Sequence, residues 1–462
     1  MLNAATTLPL LVFLAGLFAC GGASTRATPD AGPITLPDAS TDRRAAHDAG
    51  APSHDAATDA VADVDNGSPS DAFPAPHPPL PQLTNLRGGP ILTTPTVYLV
   101  AFPGYPYLTD LQTFASHMAS ATYWNSVTAE YGVGALTYGG TITLTGQTAA
   151  NMLTQAQIGT WVAQELASGA FGTPDPEGIY TILYPSTTMI TQPNPVVAAL
   201  PAVQSCTAFY GYHDNISVAL TDGGAPTNFA YAVIPTCDTV VDDLTAAISH
   251  EWVEAATDPF LTSTGSFGLT GGPDSAYFTV DADHAIWAVL GGGEAGDLCE
   301  PEGQSVFITP ADVGYTVQRI WSNNLARGSH DPCGPEPSGP SFNAAPVLTE
   351  TETITSTLLS GTIVTKGVTI PSGASKTIEV DLYSDADTGG PFTVAASDAL
   401  ATSYGLPTSM DFQWDRTQGV NGEKLHLTIT VTRASILAGV HAFAITSTLG
   451  DRQAVWPGLV FE

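Results

Sequence analysis

The fifteen residues AAISHEWVEAATDPF, Ala246 to Phe260, carry the strongest chemical signal in the chain. On a helix, residues four apart share a face, so His250 and Glu254 can reach one metal ion. Glu251, one position round, then stands where a general base takes a proton from an activated water and passes it to a leaving amine. The pattern is HExxE, a variant of the HExxH zinc-peptidase signature with glutamate in place of the second histidine. Carboxylate oxygen is a sound zinc ligand, so coordination survives the exchange. The added negative charge weakens the metal's effect on the acidity of a bound water.

A third ligand has to come from later sequence, and GGGEAGDLCE offers Glu294, with Asp297 three residues on. This is similar to the gluzincin arrangement, in which a glutamate on a later helix completes the site and a nearby aspartate buttresses a histidine ligand. That resemblance implies Glu294 as third ligand and Asp297 as buttress. Three rivals stay open. Asp258 continues the series 250–254–258, although the face drifts and an Asp-Pro pair ends helices. His284 lies in VDADHAIW, where Asp281 and Asp283 could equally form a hard-cation loop for Ca²⁺. His213, in FYGYHDN, could bind metal or donate to an oxyanion. For His213 and His284 the plainer expectation is a hydrogen-bonded structural histidine. A lone HExxE also arises by chance. Three features lift this one above that background: an exported context, the apolar helix face of Ala247, Trp252, Ala255 and Ala256, and an acidic motif beside a cysteine.

Other chemistries fare poorly. Acidic residues outnumber basic ones 44 to 12, for a formal charge of −32. Such a surface repels nucleic acid and anionic lipid. No lysine precedes Lys366, which removes phosphate-cradling and Schiff-base lysines from most of the chain. No GxSxG occurs, and no glycine-rich phosphate loop follows a strand. The expected partner is a polypeptide or cell-surface substrate, with Zn²⁺ as cofactor and Ca²⁺ as a structural alternative.

The elements that must position these residues are legible in outline. Thr94–Gly104 (TPTVYLVAFPG) reads as a buried strand and Leu108 to about Thr122 as a helix. Thr137–Gly146 alternates like a strand, and Thr148–Ser168 has helical spacing. Ile179–Ser186 and Phe229–Cys237 read as further strands. The motif helix should run from about Asp242 to Thr257, stopped by Pro259. Together these predict a mixed α/β, zincin-like domain over residues 86–337. From 346 to 462 the pattern changes to strict alternation, as in KLHLTITVT, with Leu425, Leu427, Ile429 and Val431 facing a core. That predicts a β-sandwich without useful helices, whose His426 and His441 lie at the surface.

Upstream, residues 1–20 have the apolar run of a secretory signal, and Leu17-Phe18-Ala19-Cys20 resembles the lipobox of bacterial lipoproteins. Cys20 would then carry the lipid, anchoring the protein at the outer membrane or cell surface; cleavage elsewhere would leave it secreted. Residues 21–85 are rich in Ala, Asp and Pro and poor in large apolar side chains, the composition of a disordered acidic tether, with His47, His54 and His77 in it. Cys206, Cys237, Cys299 and Cys333 remain. Three pairings are possible in an exported chain, and neighbours are expected: Cys206–Cys237 and Cys299–Cys333.

The ordered series GGPILTTPTVYLVAFPG, YWNSVTAEYGVG, TPDPEGIYTILYP, CTAFYGYHD, SHEWVEAATDP, GEAGDLC and VQRIWSN resembles a family of secreted bacterial HExxE proteins. It is more distantly similar to the phosphate-induced (EXORDIUM-like) proteins of plant cell walls. The resemblance covers about Leu86 to Cys333. It implies a shared fold and an extracytoplasmic setting. Plant members lack the His-Glu pair, so it leaves catalysis open, with a non-catalytic wall, matrix or adhesion protein as the other reading.

Overall fold

The computed structural model describes residues 66–193, 201–221, 224–237, 240–261, 274–356, 361–404, 407–435 and 439–462. The signal, Cys20, His47, His54 and most of the tether lie outside these. The architecture is mixed α+β, dominated by strands.

The motif helix is carried by a five-stranded sheet, ordered Thr137–Thr143, Thr96–Ala101, Gly178–Tyr184, Thr227–Pro235, Tyr212–Val218. Four of these strands are parallel, and Tyr212–Val218 runs antiparallel along the edge. Their near-continuous apolar runs fit a sheet covered on both faces. Gln155–Ser168 covers one face, where Ile158, Val162 and Leu166 meet Tyr180, Ile182 and Val233. The motif helix, Val241–Thr257, covers the other, where Ile248, Trp252 and Val253 are fully buried with Ile179, Ala230 and Ala232. Trp252 Nε1 donates to Thr181 Oγ1 (2.7 Å), pinning the helix across the sheet.

Several expected boundaries move. The helix expected from Thr148 starts at Gln155, because Thr154 and Gln157 form a reciprocal capping box there; Met152–Thr154 is a short strand instead. The helix expected from Leu108 to Thr122 stops at Met118, and a second begins at Thr122. The tether ends before 85. Gly67 bridges Glu423, His77 stacks on Tyr383 at 3.6 Å, Leu80 and Leu83 are buried, and Leu83–Asn85 pairs with Tyr277–Val280. These few apolar residues suffice because a preformed surface receives them.

The C-terminal part is sandwich-like. A four-stranded sheet is ordered Phe342–Pro346, Ser375–Ser384, Lys424–Val431, Met410–Trp414; a six-stranded sheet contains Val440–Leu449 and Arg452–Phe461. Leu425, Leu427, Ile429 and Val431 are each 0% exposed, as alternation predicts. Two expectations fail. A short helix, Ala399–Tyr404, interrupts the strands. His441 is buried, with Nδ1 at 2.8 Å from Ser409 Oγ and Nε2 at 3.1 Å from Glu462, while His426, partly buried, pairs with Asp415. Trp456 packs edge-on against Trp287 at 5.6 Å, so sandwich and α/β part share one core. Both expected disulfides are present, Cys206–Cys237 and Cys299–Cys333. Among the described residues no helix is long and apolar enough to cross a membrane.

Candidate metal centre

Three pieces of chain meet at the motif helix. The helix presents His250, Glu251 and Glu254; the antiparallel edge strand presents His213; the turn at 294–300 presents Glu294, Asp297 and Glu300. All are enclosed, from 0% exposure at Asp297 to 4% at His213, His250 and Glu251, with the Glu300 side chain at 9%.

Glu254 is the hub. Its Oε1 accepts backbone N–H bonds from Gly296 (3.1 Å) and Asp297 (3.0 Å), which dock the acidic turn onto the helix. Its Oε2 lies 2.9 Å from His250 Nε2 and 3.6 Å from His213 Nδ1. His250 Nε2 also faces Asp297 Oδ1 at 3.5 Å. The other nitrogen, Nδ1, donates to Gln318 Oε1 (3.1 Å), and Gln318 is held in turn by Gly296 O and Ser249 Oγ. Gln318 therefore fixes the ring and directs Nε2 inward. His213 faces Glu251 (3.5 Å) with Nδ1 and Glu294 Oε1 (3.3 Å) with Nε2.

Charge makes the arrangement unusual. Within 4.0 Å the ion-pair partners of Glu251, Glu254, Glu294, Asp297 and Glu300 are the two imidazoles alone, among the described residues. Burial alone would lower both histidines, but the surrounding carboxylates outweigh it and hold them well above the ordinary range. Burial pushes the acids up: Asp258 to about 7 and Glu294 to about 8, with Glu251, Asp297 and Glu300 also raised. Glu254 alone is lowered, because the charge and hydrogen bond of His250 overcome its burial.

A metal ion fits these donors. His213 Nε2, Glu294 Oε1, both Asp297 oxygens, Glu300 Oε2 and Asp258 Oδ2 are buried and hydrogen-bond to nothing. Orphaned acceptors of this kind are costly unless a cation meets them. They form overlapping donor groups, each with atoms within 4.8 Å of one another: His213–Glu251–Glu254, His250–Asp297–Glu300 and Glu254–Glu294–Asp297. Glycines let the backbone approach. A Cβ on Gly296 would lie 2.7 Å from His250 Nδ1, one on Gly211 would lie 2.6 Å from Glu251 Oε1, and one on Gly292 would strike Asp297.

The sequence expectations sort accordingly. His250, Glu251, Glu254 and Glu294 come together, and Asp297 faces the centre itself as well as bracing it. His213 joins them, paired with Glu251 and Glu294. Asp258 caps the helix, and its Oδ1 accepts from Ala276 N (2.6 Å). His284 stands elsewhere, bound to Asp281 (2.7 Å), while Asp281 also accepts from Gln82 N and Asp283 pairs with Lys366. The hard-cation loop therefore does not form: its acids already have partners. Glu300 and Gln318 were missed. Glu300 follows Asp297 by three, the spacing of one helical turn, which is the only signal the sequence held for it.

No protein-family model matches the sequence, and no curated protein matches it. Among solved structures the chain is similar to the titin M3 domain, at 13% identity over 21% of this chain and 85% of that one, with a TM-score of 0.14. A score that low carries no argument about the chain.

Proposed function

We propose that the chain is an exported, zincin-like metallohydrolase, acting on polypeptide, with Zn²⁺ held by His250, Glu254 and Glu294 and with Glu251 as general base. The carrying observation is the convergence of buried imidazole and carboxylate donors around Glu254, several of whose atoms make no hydrogen bond, on a helix braced across the five-stranded sheet. The ion would supply Lewis acidity and a more acidic water. Glu251 has a raised affinity for protons, suiting it to take one and return it to a leaving group. His213, facing Glu251 and Glu294, would orient the base. The sandwich would dock substrate or cell surface, and the N-terminal signal and tether would hold the protein outside the cytoplasm.

One observation favours a second reading, a structural ion in a non-catalytic extracellular protein: every donor is nearly sealed from solvent. Structural zinc sites are closed, whereas catalytic ones keep a position open. Glu251→Gln separates the two. On the hydrolase reading the variant keeps its metal content and loses peptide cleavage by at least about a hundredfold. Cleavage at the wild-type rate would remove Glu251 as the base, whereas no cleavage by a fully metallated wild type across a broad peptide library would leave only the structural ion.

A further inference from the structure

The donors exceed what one ion can use. Zinc takes four ligands in a closed site, or three and a water in an open one. Here two imidazoles and five carboxylates, Glu251, Glu254, Glu294, Asp297 and Glu300, fall into overlapping donor groups, and Asp258 adds a sixth buried acid at the end of the same helix. One divalent ion balances two of those six acids when they are ionised. Two ions balance four, and a buried charge left unbalanced is costly.

We propose that the centre binds two divalent transition-metal ions, the second held by His213 Nε2 and Glu294 Oε1. This rests on the metal-centre reading above, adds an ion to it, and makes Glu294 a ligand shared by the two ions. The first ion belongs between His250 Nε2, Glu254 Oε2 and Asp297 Oδ1, which stand 2.9 and 3.5 Å from the histidine nitrogen. His213 Nε2 and Glu294 Oε1 stand 3.3 Å apart as an ion pair, are enclosed, and have no other partner among the described residues. Two ligand atoms on one tetrahedral ion, with bonds of about 2.0–2.1 Å, are separated by about 3.3 Å. The pair has the spacing of one edge of a coordination tetrahedron. Asp258 Oδ2, also buried and without a hydrogen bond, is a further unsatisfied oxygen at the end of the motif helix.

Glu254, Glu294 and Asp297 link the two positions, their donor atoms lying within 4.8 Å of one another. Carboxylates placed like this bridge ions about 3.5–4 Å apart in two-metal sites. Histidines arriving from opposite elements, a helix and an edge strand, give each ion one nitrogen. Nitrogen with carboxylate oxygen suits zinc, iron or manganese better than calcium.

Metal counting on the full chain tests this directly. Chelator-stripped protein is titrated with Zn²⁺ and, separately, Co²⁺, and bound metal per chain is measured after gel filtration. Two equivalents are expected, with the Co²⁺ paramagnetic resonance growing to the first equivalent and weakening at the second as bridged ions couple. His213→Ala should bind one equivalent and show no weakening. His213→Gln, closer in size, repeats the test if the alanine variant is unfolded by circular dichroism. One equivalent in the wild type overturns the second ion and leaves the mononuclear hydrolase standing. Two equivalents retained by a folded His213 variant also overturn it, by placing the extra ion elsewhere. No bound metal sinks both readings.

Discussion

At the scale of single residues, the site depends as much on what is missing as on what is present. Gly296 sits against His250 and Glu254, and any side chain there collides with both. Gly296→Ala is therefore expected to fold but to lose metal affinity by about ten- to a hundredfold, as when a supporting contact of a ligand is removed. Competition against a chromogenic chelator measures this, and unchanged affinity would show that the turn does not seat the ligands as described. The motif itself was legible: HExxE named three of the participants from spacing alone. His213 was not decided, because the sequence reading placed no strand at FYGYHDN, and only the pairing of Tyr212–Val218 with Thr227–Pro235 fixes which way it faces. Glu300 and Gln318 were invisible for a related reason. Their roles come from how a proline-bearing turn and a two-residue strand lie over the helix, which no local pattern records.

At the scale of elements, periodicity identified the motif helix and four of the five strands of the sheet beneath it, missing the edge strand Tyr212–Val218, and the errors at helix ends fell where capping chemistry decides them. The sandwich strands also carry a titration effect. Burial, then the neighbouring Glu379, pushes Asp381 up from 3.8 to about 6. The folded protein thus holds this proton more tightly than the unfolded chain. Between those values stability falls as pH rises, and above about 6 the penalty is constant. Asp381→Asn should remove the slope: urea denaturation should show it gaining more over wild type at pH ~7.5 than at pH ~4.5. An equal gain at both would mean that Asp381 is unperturbed. In the α/β part, Trp252 is fully buried and hydrogen-bonded to Thr181. Trp252→Ala should cost about 3–5 kcal/mol and loosen the helix that bears three of the site residues. A loss below about 1 kcal/mol in the same assay would contradict that packing.

At the scale of the whole molecule, the sequence showed a change of character from mixed α/β to alternating strands but gave no hint that residues 66–85 join the two parts. Asn421 makes the connection. Its Oδ1 accepts from Ala75 N (2.9 Å) and Ser384 N (3.0 Å), and its Nδ2 donates to Ser70 O (3.0 Å) and Ala72 O (2.8 Å). Asn421-Gly422 reads from sequence as a turn pair, so its second role was hidden behind its first. Asn421→Ala would leave two buried N–H groups unpaired, at about 1–3 kcal/mol each. It should admit protease between 66 and 80 before the rest of the fold is cut. Cleavage beginning elsewhere at wild-type rates would show that this segment is held by other contacts.

That same segment sets a chronology. Ala75 leaves the ribosome 346 residues ahead of the asparagine that receives it. Chain emerging in order must therefore keep its leading stretch unattached until the last sandwich strands arrive, because closing so long a loop comes late. With few large apolar side chains, residues 66–85 are suited to that wait while their docking surface is still being made.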